Sequence, residues 1–441
     1  MTAEIAILNK SAIALATDSA VTISAGNEQQ KIYDSGDKLF ELSHTTPICI
    51  MLYNGMNFME IPFPSIIKSF RDECCESETV EQAAQEFLKH LDAHGKKSPK
   101  IVLGKNLAGI IDPILKGLLK RFRDSVFEQT TTKEGNKSAD IDIGEILDIH
   151  ITDLLDALDH LGGAKFVGLE EELEISNDSL DVFDIFIEKY FPFASDVQKG
   201  RLVEFCSLIV KKEYFSPHRT GIVFAGFGHG EQFPTLVAFE TDGMLGGYLK
   251  YRRMDEYCVD VDREGVKAAV LPFAQKDMVD KFLYGLDDEI QGSVELFCKE
   301  SISAIGEEIF NRLNIDDAEE LEALKNKVKS AETQFLKSLH EDAFETIRKE
   351  SRVEIEDMVE FMPKSEMAKM AESLIELTSI KHRVSRGMET VGGPVDVAVI
   401  SQAEGFVWVK RKHYFPAELN ARYYERLKNK FVSTKIEEEP K

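Results

Sequence analysis

Strand-type and helix-type patterns occupy separate, alternating blocks of this sequence. Short apolar runs that indicate β-strands cluster at 2–53, 219–273 and 394–409, and apolar residues at helical spacing fill the two long stretches between them. Turn-forming residues such as Thr241-Asp242-Gly243 separate the strands. Because the blocks are segregated, the pattern predicts antiparallel sheets covered by helices and not a parallel fold. Each sheet must therefore combine segments that lie far apart in the chain.

The first block begins almost at the first residue. The apolar runs 3–8 and 11–16 predict a β-hairpin whose two-residue loop is Asn9 and Lys10. A strand this early anchors a chain end that frays in most proteins. Since no basic and apolar leader segment precedes the hairpin, we expect a cytoplasmic protein.

Composition narrows the classes of partner. The chain carries 53 Lys and Arg against 78 Asp and Glu, a formal net charge of −25, which argues against binding to nucleic acids or to membrane surfaces. Its 43% of hydrophobic residues suffices for a sizeable core, yet no apolar run approaches the ~20 residues of a membrane-spanning helix. The six cysteines lack the spacing of a disulfide framework or a zinc site. We expect no metal and no cofactor.

Four residues of the first block follow one another in a recognisable order. Thr2 comes directly after the initial methionine, and Asp18 lies sixteen residues later, at the end of the second strand. Lys38 opens a further apolar strand, after an expected enlarged loop at 24–36, and Gly55 follows the next strand. This order resembles the start of a proteasome β subunit, and of its bacterial relative that works with an ATPase unfoldase. Both are N-terminal-nucleophile hydrolases of the threonine peptidase type.

The resemblance implies an α+β fold, the four-layer αββα sandwich of N-terminal-nucleophile hydrolases, enlarged here by large helical insertions. The implied parts are the first half of the core, 1–60; a helical insertion, 61–215; the central core strands, 216–275; a second helical insertion, 276–364; the last core helix and strands, 365–415; and a C-terminal helix with an acidic tail, 416–441.

In this family the N-terminal threonine is the nucleophile and its own α-amine is the base. A threonine hydroxyl needs an adjacent base, and an α-amine with an ordinary pKa of about 7.7–8.0 can serve. Removal of Met1, which is usual before a small residue, would free the amine of Thr2. The resemblance makes Lys38 the ammonium that lowers the pKa of this amine, Asp18 the carboxylate that holds Lys38, and Gly55 the backbone donor of the oxyanion hole.

Around these residues the sequence departs from the family pattern. The Gly-Ser-Gly element of proteasome-type subunits corresponds to 269–275, which contains no serine. The Asp and Ser before a Gly-Gly pair correspond to Met388 and Val391, which lack the polar groups. The candidates for supporting polar groups are Ser19, Gln275, Glu389 and Thr390.

The function implied is a threonine hydrolase that cleaves peptide or other amide bonds through an acyl-Thr2 intermediate. The resemblance also implies a homo-oligomer, and the helical insertions offer surfaces for an unfoldase or another protein partner. Two alternatives stay open: an amidohydrolase of the same fold that acts on small molecules, and a catalytically inactive interaction protein of that fold. A deep, narrow pocket would favour the first, and a retained Met1 would favour the second.

Overall fold

The fold is that of a computed structural model, which describes residues 2–25, 29–73, 76–131, 142–285, 287–312, 318–384 and 391–425. The strands within these residues are β1 (Ala3–Asn9), β2 (Ala12–Thr17), β3 (Val21–Ala25), β4 (Gln29–Tyr33), β5 (Leu39–Glu41), β6 (Ile48–Tyr53), β7 (Asn57–Phe58), β8 (Ile61–Pro62), β9 (Lys165–Phe166), β10 (Thr220–Gly226), β11 (Thr235–Leu245), β12 (Tyr248–Arg253), β13 (Val259–Asp260), β14 (Ala268–Ala274), β15 (Asp396–Ser401) and β16 (Gly405–Lys410).

Long helices fill the segments between the strand blocks. They are α1 (Phe63–Glu73), α2 (Val80–Gly95), α3 (Lys100–Thr131), α4 (Ile143–Asp159), α5 (Asn177–Tyr190), α6 (Asp196–Lys211), α7 (Asp277–Tyr284), α8 (Asp288–Arg312), α9 (Ala318–Ser338), α10 (Glu345–Glu360) and α11 (Lys364–Val384). A π-helical segment, Leu339–Phe344, joins α9 to α10.

Two antiparallel sheets hold most of the strands. The first has the order β14-β1-β2-β15-β16, and the second has the order β5-β6-β10-β11-β12-β9, with β13 paired to β11. Every pairing in both sheets is antiparallel, as the segregated blocks predict. β1 lies between β14 and β2, so the strand that begins beside Thr2 is an internal strand of its sheet.

The opening hairpin is present, but its loop differs from the predicted one. β1 and β2 pair as far as Asn9 opposite Ala12, so the turn consists of Lys10 and Ser11. The prediction of Asn9 and Lys10 is therefore wrong by one residue. The reason is the buried Asn9 side chain, whose Oδ1 accepts a hydrogen bond from the Ser11 N–H at 2.9 Å and closes the turn.

Two further segments differ from the sequence predictions. The segment 24–36, expected to be an enlarged loop, carries part of the β3-β4 hairpin. Thr241-Asp242-Gly243, expected to be a turn, lies inside β11, where the pairing with β12 shifts at a β-bulge. Gly243 has a φ of 81° there, a left-handed conformation that glycine adopts freely. The bulge thus accommodates turn-type residues without ending the strand.

The two sheets pack against each other. Along β1, Ala6 and Leu8 belong to a buried cluster that they share with Cys49 and Met51 of β6 in the other sheet. Ile5 lies on the opposite face of β1 and belongs to a cluster with residues of α7, α10 and α11. Helices therefore cover the outer face of the first sheet, and its inner face contacts the second sheet.

The outer face of the second sheet is covered by α1 and α2. Phe70 of α1 stacks edge-on against Phe87 of α2, and Phe87 does the same against Phe224 of β10, with ring centroids 5.1 and 5.6 Å apart. Residues 63–95, which the sequence assigns to the insertion 61–215, are therefore packed on the core sheet. The sequence pattern does not show this packing, because an apolar helix face does not reveal which surface it covers.

The remaining helices form two different structures. Helices α3 to α6 enclose a separate hydrophobic core that includes Phe183 and Phe205. In the second predicted insertion, 276–364, α7 and α10 contribute to the core under the first sheet, whereas α8 and α9 expose most of their described side chains. At the C-terminal end, residues 421–425 are helical, and the predicted acidic tail lies outside the described residues.

Candidate active site

Thr2 directly precedes β1 and is held by contacts from three strands. Its Oγ1 donates a hydrogen bond to Glu4 Oε2 at 3.2 Å, and the Asn54 N–H points to the same Oγ1 at 3.5 Å. The Thr2 carbonyl oxygen accepts a hydrogen bond from the Gln275 N–H at 3.0 Å. Only 5% of Thr2 is exposed. These contacts hold its hydroxyl between β1 and the ends of β6 and β14.

Lys38 and Asp18 lie together, as the resemblance implies. The Lys38 side chain is fully buried, and its Nζ contacts Asp18 Oδ1. Asp18 Oδ1 also accepts a hydrogen bond from the Ala3 N–H at 3.1 Å, and Oδ2 accepts one from the Gly392 N–H at 3.1 Å. Asp18 therefore ties together the start of β1, the segment before β15 and the Lys38 ammonium.

Glu4 completes this cluster, although sequence reasoning did not single it out. Its side chain is fully buried, and its Oε1 lies 3.4 Å from Lys38 Nζ. Burial raises the pKa of Glu4 to about 8, and the Lys38 ammonium acts in the opposite direction. A signal was present in the sequence, since Glu4 is the one charged residue of an otherwise largely apolar β1. It lies on the same strand face as Ala6, which is buried between the sheets.

The backbone donor nearest to the Thr2 hydroxyl is not the predicted one. The Gly55 N–H donates to the Tyr53 carbonyl oxygen at 2.9 Å, across a three-residue turn whose central residue, Asn54, has a φ of 65°. The Asn54 N–H, and not that of Gly55, points to Thr2 Oγ1. In this conformation the Gly55 N–H is engaged, so its predicted oxyanion role requires the turn to open.

Close packing leaves no room for a side chain at position 55. A Cβ atom at Gly55 would lie 1.8 Å from Thr220 Oγ1 and 2.9 Å from Thr220 Cβ. Such distances are far below van der Waals contact. The close packing of β10 against this turn is sufficient to require glycine.

The supporting candidates lie in different places. Gln275 lies at the site, where its N–H contacts Thr2 and its side-chain Oε1 lies 3.0 Å from His382 Nε2 of α11. Ser19 is buried, and its hydroxyl donates to the Pro394 carbonyl oxygen. Glu389 and Thr390 lie outside the described residues.

A cavity of about 380 Å³ adjoins Thr2 through Asn54 and Gln275, which both line it. Asn54 and Ala274, another lining residue, have left-handed backbone conformations, with φ values of 65° and 56°. Residues other than glycine adopt such conformations at a cost, and these residues tend to occur at functional sites. The backbone is therefore strained at the two places where it contacts or flanks Thr2.

The cavity also contains a polar network. The Tyr53 hydroxyl donates to Glu240 Oε1 at 3.0 Å, and Arg219 Nε lies 2.7 Å from Glu240 Oε2. Burial and the Glu240 carboxylate raise the pKa of Tyr53, so this phenol is protonated at neutral pH. The Tyr53 ring stacks on Phe273, with centroids 5.9 Å apart. The lining thus combines aromatic surface with fixed charged groups.

The cluster at Thr2 has the components of nucleophilic catalysis: a hydroxyl that is hydrogen-bonded to a carboxyl group, a buried ammonium and a nearby backbone N–H.

Among the residues that the structure describes, no three His, Cys, Asp or Glu side chains come together as a metal site. Within the same ranges, no helix is both long and apolar enough to pass through a membrane. No model of a known protein family matches the chain, and a search of curated proteins finds no matching relative.

Proposed function

We propose that this protein is a threonine hydrolase of the N-terminal-nucleophile type, which cleaves amide bonds with Thr2 as nucleophile. The observation that carries the proposal is the buried cluster of Lys38, Asp18 and Glu4 against the Thr2 hydroxyl. Buried ionic clusters stabilise a fold no better than apolar side chains of similar size. The position of this cluster beside a hydroxyl is better explained by a need to activate that hydroxyl.

The proposal includes the four-layer αββα sandwich. It is supported by the packing of the two antiparallel sheets against each other, with α1 and α2 on one side and α7, α10 and α11 on the other. In that arrangement the nucleophile stands at the end of an internal strand. A strand positions a reacting group more precisely than a loop does.

In the proposed reaction, Thr2 Oγ1 attacks the carbonyl carbon of the amide, and the bond to the leaving nitrogen breaks. The resulting acyl-Thr2 ester is then hydrolysed by water. The base that the resemblance implies is the α-amine, freed by removal of Met1. The Asn54 N–H, which points to Oγ1 at 3.5 Å, is the proposed donor for the developing oxyanion, and the Gly55 N–H joins it if the turn opens.

Peptide bonds are the proposed substrate, in line with the resemblance to proteasome subunits. A second candidate, hydrolysis of small-molecule amides, is favoured by the cavity beside Thr2. Its volume of about 380 Å³ falls within the ~300–1,000 Å³ of small-ligand sites. Turnover of a peptide library, compared with turnover of a panel of small amides, separates the two candidates.

We also propose that the protein assembles with copies of itself or with a protein partner through its helical insertions. Helix α8 exposes Leu296, Phe297, Ile305 and Ile309, which are large apolar side chains. Clusters of such side chains are typical of protein–protein contacts. Sedimentation analysis of the purified chain measures whether it is a monomer.

The test of the nucleophile uses the full chain. We expect the intact mass to lack methionine and an electrophilic β-lactone or epoxyketone to label Thr2. Thr2→Ala should abolish both labelling and amide hydrolysis. Thr2→Ser, the matched control, keeps a hydroxyl at the same place and should retain measurable activity.

Two results contradict the proposal. One is full hydrolytic activity in Thr2→Ala on an amide that the unmodified protein turns over. The other is a protein that is folded, retains Met1 in every molecule and hydrolyses no member of either substrate panel. That second result would favour the inactive interaction protein.

A further inference from the structure

The Glu4 carboxyl group lies between the hydroxyl of Thr2 and the ammonium of Lys38. Its Oε2 is 3.2 Å from Thr2 Oγ1, and its Oε1 is 3.4 Å from Lys38 Nζ. Both carboxyl oxygens therefore face groups of the candidate site. Among the described residues, no donor makes a well-oriented hydrogen bond to Oε1. The carboxyl group is held at the nucleophile but is not saturated with hydrogen bonds.

The surroundings of Glu4 do not explain a carboxyl group on structural grounds. Glu4 shares its strand face with Ala6 and Leu8, which pack between the two sheets. Asp18 already accepts hydrogen bonds from backbone N–H groups and contacts Lys38. A second buried carboxyl group beside one ammonium adds a desolvation cost that the first pair does not need.

We propose that Glu4 is a catalytic residue that takes the proton of the Thr2 hydroxyl. This inference rests on the proposed function, with Thr2 as nucleophile, and changes the proton acceptor from the α-amine to a side chain. The Asn54 N–H and the Glu4 carboxylate then approach Thr2 Oγ1 together, one as donor and the other as acceptor. A general base must lie within hydrogen-bond reach of the proton that it removes, and Glu4 does.

Glu4 accepts and returns one proton in each half of the proposed reaction. As Oγ1 forms its bond to the carbonyl carbon, its proton moves to Glu4 Oε2 and the π-electron pair moves to the carbonyl oxygen. When that pair returns, the carbon–nitrogen bond breaks and the nitrogen gains the proton from Glu4. Glu4 next takes a proton from the attacking water, and returns it to Oγ1 when the ester bond breaks. No other reactant is needed.

Within the described part of the chain, the charged groups that face Glu4 are Lys38 before β5 and Asp18 after β2. The residues opposite it in the register, Thr17 on β2 and Phe273 on β14, carry no charge. Burial raises the pKa of Glu4 to about 8, so the carboxylate form increases as the pH rises through that value. A base near its pKa at the working pH is the most effective kind.

The test compares Glu4→Gln and Glu4→Asp with the unmodified protein. We expect kcat to rise with pH toward a plateau above about pH 8 in the unmodified protein, because Glu4 must be ionised to act as base. In Glu4→Gln this rise should disappear and kcat should fall by at least about 100-fold, the usual contribution of a general base. Glu4→Asp should keep a rise with pH but react more slowly, since its carboxylate is set back by one methylene group.

The matched control is Glu231→Gln, which makes the same change at a partly buried glutamate away from the site. Glu231 accepts hydrogen bonds from the Gly228 and Val80 N–H groups and contacts neither Thr2 nor Lys38. Its pH profile should equal that of the unmodified protein. Urea denaturation of each variant shows which ones are folded.

The outcomes separate this inference from the proposed function. If Thr2→Ala is inactive but Glu4→Gln keeps the rise with pH and a rate within about threefold, the α-amine is the base and the Glu4 proposal fails alone. If Thr2→Ala is active, the proposed function fails. If Glu4→Gln does not fold, Glu4→Asp decides, and a rate and pH profile equal to those of the unmodified protein would overturn the proposal.

Discussion

A buried cluster of charged side chains is expected to set how the stability of this protein depends on pH. Glu4, Asp18 and Lys38 are each at most 1% exposed, so two carboxyl groups share one ammonium away from the protein surface. When one member of such a cluster is removed, its partner becomes an unpaired buried charge. The unpaired charge then carries its full cost of desolvation. Stability and its pH dependence are therefore sensitive to Lys38.

We predict that Lys38→Met lowers the free energy of unfolding by about 3–5 kcal/mol, the usual cost of breaking a buried ion pair. The pKa of Glu4 is raised on folding, so its contribution to stability falls as the pH rises toward about 8. Without Lys38 the Glu4 carboxyl group loses the cation that favours its ionised form. The loss in Lys38→Met should therefore be larger at pH 9 than at pH 4, as measured by urea denaturation.

The control for this prediction is Lys105→Met. Lys105 forms an exposed ion pair with Glu60, at 2.8 Å, and such pairs contribute about 0–1 kcal/mol. An equal loss in both variants, or a loss in Lys38→Met that does not depend on pH, would show that the buried cluster is not energetically coupled.

The Asn9 side chain of the opening hairpin forms hydrogen bonds at the end of α10. Asn9 Nδ2 donates to the carbonyl oxygens of Val359 and Met362, both at 2.9 Å, at the C-terminal end of α10. Helix ends leave such carbonyl groups without partners inside the helix. Asn9 therefore closes its own turn and caps a helix 350 residues away in the chain.

We predict that Asn9→Ala destabilises the protein by about 2–4 kcal/mol, because two carbonyl groups and a turn N–H lose a buried partner. The measurement is the urea midpoint, with hydrogen exchange of α10 as a local readout. Asn420→Ala is the matched control, since Asn420 Nδ2 also donates to a carbonyl oxygen, that of Pro416, but is exposed. A loss below about 0.5 kcal/mol in Asn9→Ala, the range of ordinary surface changes, would contradict this role.

At the scale of the whole molecule, the chain has a sheet core and a separate helical core. Helices α3 to α6 bury Phe183 and Phe205 in a cluster that also includes Phe166 of β9 and Leu245 of β11. Phe224, by contrast, lies in the cluster between β10 and α2. Regions with separate cores can open separately, with different free energies. The site at Thr2 belongs to the sheets and does not include a residue of the helical core.

We predict that Phe183→Ala destabilises the α3–α6 region by about 3–5 kcal/mol, the usual cost of this change in a core. Hydrogen exchange should accelerate in these helices and stay unchanged in β1, β2 and β6. Phe224→Ala removes the same side chain from the sheet core and should accelerate exchange in those strands. Identical exchange patterns in the two variants would show that the chain unfolds as a single cooperative unit.

Much of the architecture follows from local pattern. Alternating apolar runs predict strands wherever they occur, and the segregation of strands from helices predicts antiparallel sheets. The contact between Lys38 and Asp18 is not predicted by local pattern, because the two residues lie twenty positions apart on different segments. By contrast, the bulge at Gly243 is invisible locally, because the same residues form a turn in an isolated hairpin and a bulge where β12 continues the pairing.

The sequence by itself indicated the three blocks that hold most of the strands and their antiparallel pairing, and a family resemblance added Thr2, Asp18 and Lys38 as candidates for one site. Only the tertiary structure decided that α1 and α2 cover the core sheet, that the Asn54 N–H faces Thr2, and that Glu4 stands between Thr2 and Lys38. The two kinds of information differ because sequence periodicity reflects the conformation of a few neighbouring residues only. The contacts of a buried side chain depend on strand register and turn geometry, which packing across distant segments sets.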